Sequence, residues 1–122
     1  MALLATALVA EAYTPRALDD IPNVNVADAR RFTSNPDGIL SVAAVDSIDR
    51  MLYSLREDRT AEVAVVAVGS IGSEDVFEFS HSLFQRWGIG EKDRNNGLLI
   101  FLVLDQREIR FITGYGVEGV LP

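Results

Sequence analysis

Two seven-residue runs, Glu62–Val68 (EVAVVAV) and Leu98–Leu104 (LLIFLVL), limit what this chain can fold into more than any other feature. Each is apolar at nearly every position rather than at alternate ones. Each therefore needs cover on both faces, which marks a central strand of a layered sheet. A helical pattern lies between them. Ser73, Glu74 and Asp75 open it, with acids where the helix dipole favours them. Val76, Ser80, Leu83 and Trp87 line one face, flanked by Phe79 and Phe84, and Gly88 supplies the stop. Strand, helix, strand implies a right-handed crossover, so the two runs lie parallel. After a tight turn at Asp105-Gln106, Arg107–Thr113 (REIRFIT) alternates and reads as an antiparallel hairpin partner of the second run.

An earlier helix begins at a Ser41 cap and ends near Asp58. Val42, Val45, Ile48, Leu52 and Leu55 form one apolar stripe, while Asp46, Asp49, Arg50, Arg56 and Glu57 occupy the other face. The expected fold is α/β: helices packed on a mixed sheet built from a parallel βαβ unit and an antiparallel hairpin. The length of 122 residues suits one such domain. Residues 41–122 form its core, and residues 13–40 form an irregular N-terminal segment. Turn chemistry at Thr14-Pro15, Ile21-Pro22-Asn23 and Asn35-Pro36-Asp37-Gly38 prevents a long helix there. Asn23–Val26 is expected as a short edge strand. Residues 1–12 (MALLATALVAEA) are apolar without a period and too short to span a bilayer. Ala10-Glu11-Ala12 has the form of a cleavage site, so this stretch reads as a signal-peptide remnant and implies export.

The available chemistry is narrow. Cysteine is absent and His81 is the single histidine, which excludes disulfides, thiolate catalysis and multi-histidine metal sites. A formal charge of −7 repels phosphate backbones, disfavours nucleic acid and suits cations. Carboxylates, amides, hydroxyls and the backbone remain.

Topology directs attention to two glycine-rich loops. Gly88–Gly97 (GIGEKDRNNG) enters the second apolar run at its N-terminal end. The hairpin strand runs back and finishes at that same end, where Gly114–Gly119 (GYGVEG) leaves. Both loops should therefore share one rim of the sheet. They offer Glu91, Lys92, Asp93, Arg94, Asn95, Asn96, Tyr115 and Glu118. Such oxygen donors suit calcium or magnesium, and glycine lets the backbone approach a ligand. The same glycines also fit as simple tight turns. The spacing matches no EF-hand loop, Walker loop or G-x-G-x-x-G opening a helix.

At these residues the chain resembles a known family. Trp87-Gly88-Ile89-Gly90-Glu91-Lys92, then Asn96-Gly97-Leu98-Leu99, then Arg110 and Gly114-Tyr115-Gly116-Val117-Glu118-Gly119 are similar to the TPM domain, and Val26-Ala27-Asp28 matches its early V-x-D element. The resemblance runs from about Val26 to Pro122. It implies a three-layer α/β/α sandwich, found in bacterial envelope and plant thylakoid-lumen proteins. It also implies an extracytoplasmic location in the periplasm or cell envelope, and often a membrane tether or glycine-rich tail beyond the domain. On that basis a tether and closing helices are expected past Pro122.

The family's plant members are described as acid phosphatases and as aiding photosystem repair, and calcium has been associated with the domain. The resemblance thus implies a cation- or partner-binding module aiding a membrane protein complex; the alternative is a metal-dependent phosphatase acting on a phosphorylated small molecule. A cation, Ca2+ or Mg2+, would then sit on Asp28, Asn96 and Glu118. The ligand would be lined by Gly88, Gly90, Lys92, Asn95, Gly97, Gly114, Tyr115 and Gly116. Asn95 stands where the family often has Asp, which removes one anionic donor.

Each of these residues also has an ordinary role. Asp28 can cap a turn, Asn96 can hold a turn before Gly97, and Glu118 can face solvent in a loop. Lys92 and Arg94 either steady a phosphate or are solvated charges. Arg110 either pairs with Glu108 or faces the ligand. His81 reads as a half-exposed surface residue and Trp87 as a core anchor. Ser70 and Ser73 stand at the usual ligand end of a parallel sheet without a base beside them.

Overall fold

The computed structural model describes residues 13–90 and 96–114. After a 3-10 turn at Leu18–Asp20 come α1 (Val24–Ala27), β1 (Thr33–Ser34), α2 (Val42–Glu57), β2 (Glu62–Val68), α3 (Val76–Trp87), β3 (Gly97–Val103) and β4 (Glu108–Thr113). The four strands form one sheet in the order β1-β2-β3-β4. β2 runs parallel to β3 with Glu62 opposite Gly97 and Val68 opposite Val103. β4 returns antiparallel, placing Leu98 opposite Thr113. The α/β expectation, its crossover and its hairpin are borne out.

Alternation along the strands divides the core between two faces. Val66, Val68, Leu99, Phe101, Val103 and Ile112 meet Val76, Phe79 and Leu83 of α3, and Phe79 stacks on Phe101 with ring centroids 5.4 Å apart. On the other face Val63 and Leu98 meet Phe32 and Leu52, with Ile48 and Leu55 of α2 packed alongside. One helix on each face completes the three-layer α/β/α sandwich. α2 packs on β1 and β2. On its side of β4, Ile109 is 53% and Phe111 60% exposed, with no described helix packed over them.

Both long helices begin and end as their sequences require. Ser41 Oγ accepts from the Ala44 amide at 3.1 Å, a cap of about 1 kcal/mol. Asp75 does the same for Glu78 at 2.9 Å, and Gly88 takes the left-handed C-cap conformation at φ 59°.

The N-terminal segment differs from expectation. Asn23–Val26 is not an edge strand: Val24–Ala27 forms one helical turn. The Asn25 side-chain amide holds the chain beyond that turn by donating to the carbonyls of Ala29 (3.2 Å) and Arg31 (2.8 Å). The edge strand is instead Thr33–Ser34, parallel to β2 with Thr33 opposite Val65. Phe32, which precedes it, is buried and supplies the apolar anchor that Val26, 82% exposed, does not.

Asp49 explains why the strand forms there. The helical spacing places it among solvent-facing residues, yet it is only 8% exposed. Its Oδ1 accepts from the Phe32 amide at 3.1 Å and from Thr33 Oγ1 at 2.8 Å, and Arg31 approaches its other oxygen at 4.0 Å. The carboxylate thus ties α2 to the first strand. Replacing it by alanine strands two donors in the interior. Asp49→Ala should cost about 3 kcal/mol in urea unfolding, whereas Asp46→Ala, one turn away and exposed, should change stability by less than about 0.5 kcal/mol.

Candidate functional site

Among the described residues, the flanks of the two glycine-rich loops meet at one end of the sheet, held by backbone contacts. α3 leaves through Gly88, whose amide donates to Phe84 and Gln85 carbonyls at 3.1 and 3.2 Å. The chain then turns through Ile89 and Gly90, the latter at φ 99°. Here it runs against the start of β3. A Cβ on Gly90 would lie 2.5 Å from the Gly97 nitrogen, and one on Gly97 would overlap the Ile89 carbonyl. Only glycine at both positions allows the two backbones to come so close. From the hairpin side, the Gly114 amide donates to the Gly97 carbonyl at 2.9 Å. Residues far apart in sequence, Gly88–Gly90, Asn96–Gly97 and Gly114, therefore meet at the N-terminal end of β3.

Glu62, which sequence reasoning places only in a strand, belongs to this rim. Its Oε1 accepts from the Gly90 amide at 2.9 Å. Its own amide donates to the Asn96 carbonyl at 3.0 Å, and Arg56 stands 3.7 Å from its Oε2. The available signal is a charged residue opening an otherwise apolar run. Asn96 is 3% exposed, so it is a buried element of the rim.

Asp28 ends α1 and is exposed, and its Oδ1 accepts from the Arg30 amide at 3.0 Å, closing a local turn. Lys92, Asn95, Tyr115, Gly116 and Glu118 lie outside the described residues. Among the described residues no three of His, Asp and Glu gather as a metal site. Arg110 pairs with Glu108 at 2.7 Å and lies 5.8 Å from the Phe77 ring centre, on the α3 side of the sheet. His81 is exposed and stacks beside Phe77, with ring centroids 6.0 Å apart. Trp87 is partly buried and packs on the α3-side core.

The opposite end of the sheet, where open α/β folds usually bind ligands, carries the chain's own N-terminal segment. The Tyr13 ring sits against Gly69, leaving no room for a Cβ there. The Arg16 amide donates to the Ser70 carbonyl at 3.0 Å. Ser70 is buried, and its Oγ accepts from the Gly72 amide at 3.0 Å. Arg16 also grips Asp37, with Nη2 2.8 Å and Nε 3.2 Å from Oδ1. The Gly69 amide donates to Asp37 Oδ2 at 2.9 Å. The hydrogen bond from Arg16 holds the Asp37 carboxyl below the ordinary carboxylate range; partial burial opposes this and the Gly69 amide adds to it.

Because the folded form lowers this pKa, the stabilisation is complete above the unfolded value of about 3.9 and disappears as pH falls through the folded one. Unfolding free energy should therefore drop as pH falls below about 4, and Asp37→Asn should flatten that slope while costing stability at pH 7. A second contrast tests the rim. Gly97→Ala forces a backbone overlap and should cost about 3 kcal/mol. Gly88→Ala meets nothing within 4 Å and bears only the left-handed penalty of about 1 kcal/mol. Urea titration of both variants distinguishes these values.

Comparison with known proteins agrees with this architecture. The family model described as TPM domain matches residues 33–122. The solution structure of the N-terminal domain of a protein from P. gingivalis superposes with a TM-score of 0.81 at 42% identity, covering 90% of this chain and 70% of that one. No curated protein matches.

Proposed function

Since this chain belongs to the TPM domain family, we propose that it serves as an extracytoplasmic binding module of a membrane-associated protein, holding a hard divalent cation at the rim and aiding assembly of a membrane complex. The observation that carries this reading is the junction at Gly97, where main chain from Gly90 and Gly114 comes into direct contact with the start of β3. The sequence supplies oxygen donors to both loops beyond that junction, Asn95 and Asn96 in one and Glu118 in the other. Calcium and magnesium take ligands of this type, and a chain of net charge −7 attracts them. With Asn96 and Glu118, Asp28 completes the proposed cation set, and it would exchange its turn contact with the Arg30 amide for the ion.

Partner binding draws on a second observation. The open side of β4 presents Ile109 and Phe111, the kind of apolar surface that marks protein contacts. Phosphomonoester hydrolysis, the alternative, would use the same cation to polarise a phosphoryl oxygen, with Lys92 or Arg94 steadying the substrate. Chelator-sensitive turnover of p-nitrophenyl phosphate would favour that alternative.

Calcium titration followed by amide NMR tests the main reading. Gly88, Gly90, Asn96, Gly97 and Gly114 should shift together, and Glu118→Gln should weaken the response at least tenfold. Shifts centred on Ser70–Ser73, or an unchanged titration in the variant, contradict it.

A further inference from the structure

A cleft of about 440 Å³ lies between the turn that leads into β1 and the middle of α2. Arg30 and Arg31 line it from the turn, and Asp46, Asp49, Arg50, Tyr53 and Ser54 line it from the helix. Three arginines thus border one recess in a chain whose overall charge is −7.

Elsewhere, Arg16, Arg56, Arg86 and Arg110 each pair with a carboxylate. In the cleft the cations are not used up in this way. Among the described residues the Arg50 guanidinium has no hydrogen-bond or ion-pair partner, although Asp46 stands one helical turn before it. The Arg30 guanidinium lies over the Tyr53 ring, 4.4 Å from its centre, a contact that positions the charge without neutralising it. Arg31 reaches Asp49 Oδ2 only at 4.0 Å, while Oδ1 of that carboxylate is taken by the Phe32 amide and the Thr33 hydroxyl.

The turn that carries two of the arginines is fixed in place. Asp28 accepts from the Arg30 amide through Oδ1 and from the Arg31 amide through its carbonyl, at 3.0 and 2.9 Å. The Ala29 carbonyl accepts from Asn25 Nδ2 and from Arg56 Nη1, both at 3.2 Å. A backbone held at so many points keeps Arg30 and Arg31 beside α2 before any ligand arrives, which lowers the ordering cost of binding.

Guanidinium chemistry defines the ligand. Each arginine offers parallel N–H donors that suit an oxyanion. A carboxylate has two oxygens and one charge, which a single arginine fork satisfies. A phosphoryl group has three terminal oxygens and a charge of about −1.5 to −2 at neutral pH, so it can take donors from the turn and from the helix together. We propose that this cleft binds a small phosphate-type dianion on Arg30, Arg31 and Arg50, either inorganic phosphate or the phosphoryl group of a small organic phosphate. Asp46 is the opposing charge at the site and limits its affinity. None of these residues belongs to the rim at Gly97, so the site is independent of the cation reading.

The test titrates the full chain, at constant ionic strength and without calcium, with inorganic phosphate and with phenylphosphonate, whose P–C bond resists hydrolysis. Arginine side-chain N–H signals and the Tyr53 amide should shift saturably, and chloride should not reproduce the shifts. Arg50→Gln alters an exposed side chain, so it should unfold like the parent while weakening binding about fivefold, the worth of one exposed charge pair. Asp46→Asn removes the opposing charge and should tighten binding about threefold. Arg107→Gln, which removes an exposed charge just before β4, should leave affinity unchanged. Tighter binding of phenylphosphonate assigns an organic phosphate, and binding of phosphate at least as tight assigns the free ion. Absence of saturable shifts contradicts the proposal. So does an equal loss in Arg50→Gln and Arg107→Gln, the mark of a response to net charge alone, or an Asp46→Asn variant that binds no more tightly. Calcium shifts at Gly97 and Gly114 are read separately, so failure of either proposal leaves the other testable.

Discussion

The contact on which the rest of this structure depends is the approach of two backbones at Gly90 and Gly97. Neither position has room for a Cβ. The exit of α3 can therefore lie flat against the start of β3, and the Gly114 amide can reach the Gly97 carbonyl from the hairpin side. Glu62 fastens the same place from β2 through the Gly90 amide. Hydrophobic packing of α2 and α3 would produce a sandwich without this junction. It would not bring Gly90, Gly97 and Gly114 to one point.

Two ends of one sheet have accordingly been put to different uses. The carboxyl ends of β1 and β2 are occupied by Tyr13–Arg16, fixed by the Arg16–Asp37 pair and by the packing of Tyr13 on Gly69. The amino end of β3 gathers Gly88–Gly90, Asn96, Gly97 and Gly114. Next to it lies a recess of about 150 Å³ lined in part by Val24, Ala64 and Trp87. Whatever the domain binds, the chemistry available at this end is backbone carbonyls, amides and carboxylates, together with a small hydrophobic recess.

How much of this is legible in the sequence depends on whether the signal is local. EVAVVAV and LLIFLVL announce central strands because burial on both faces leaves no polar alternation, and the crossover rule then fixes their direction. Gly88 and Asp75 mark helix ends through chemistry contained in a few residues. Thr33–Ser34 gives no such signal: two residues carry no period, and their pairing depends on Phe32 and on Asp49 from another element. Asn23–Val26 alternates like a strand, yet the Asn25 amide binds carbonyls four and six residues ahead and favours a turn. Helical spacing alone ranks Asp49 as exposed, because it does not count the donors that a distant strand brings to the carboxylate. Glu62 is hidden for the same reason, since its partner at Gly90 is 28 residues away.

The central claim is that the loop after α3, the start of β3 and the end of β4 form one junction. Proton–proton NOEs and amide exchange in the free protein test it without any ligand. The account predicts NOE cross-peaks from Ile89 and Gly90 to Gly97, together with a Gly114 amide that exchanges as slowly as those of β3. Missing cross-peaks, with Gly114 exchanging at the rate of an open loop, would contradict it.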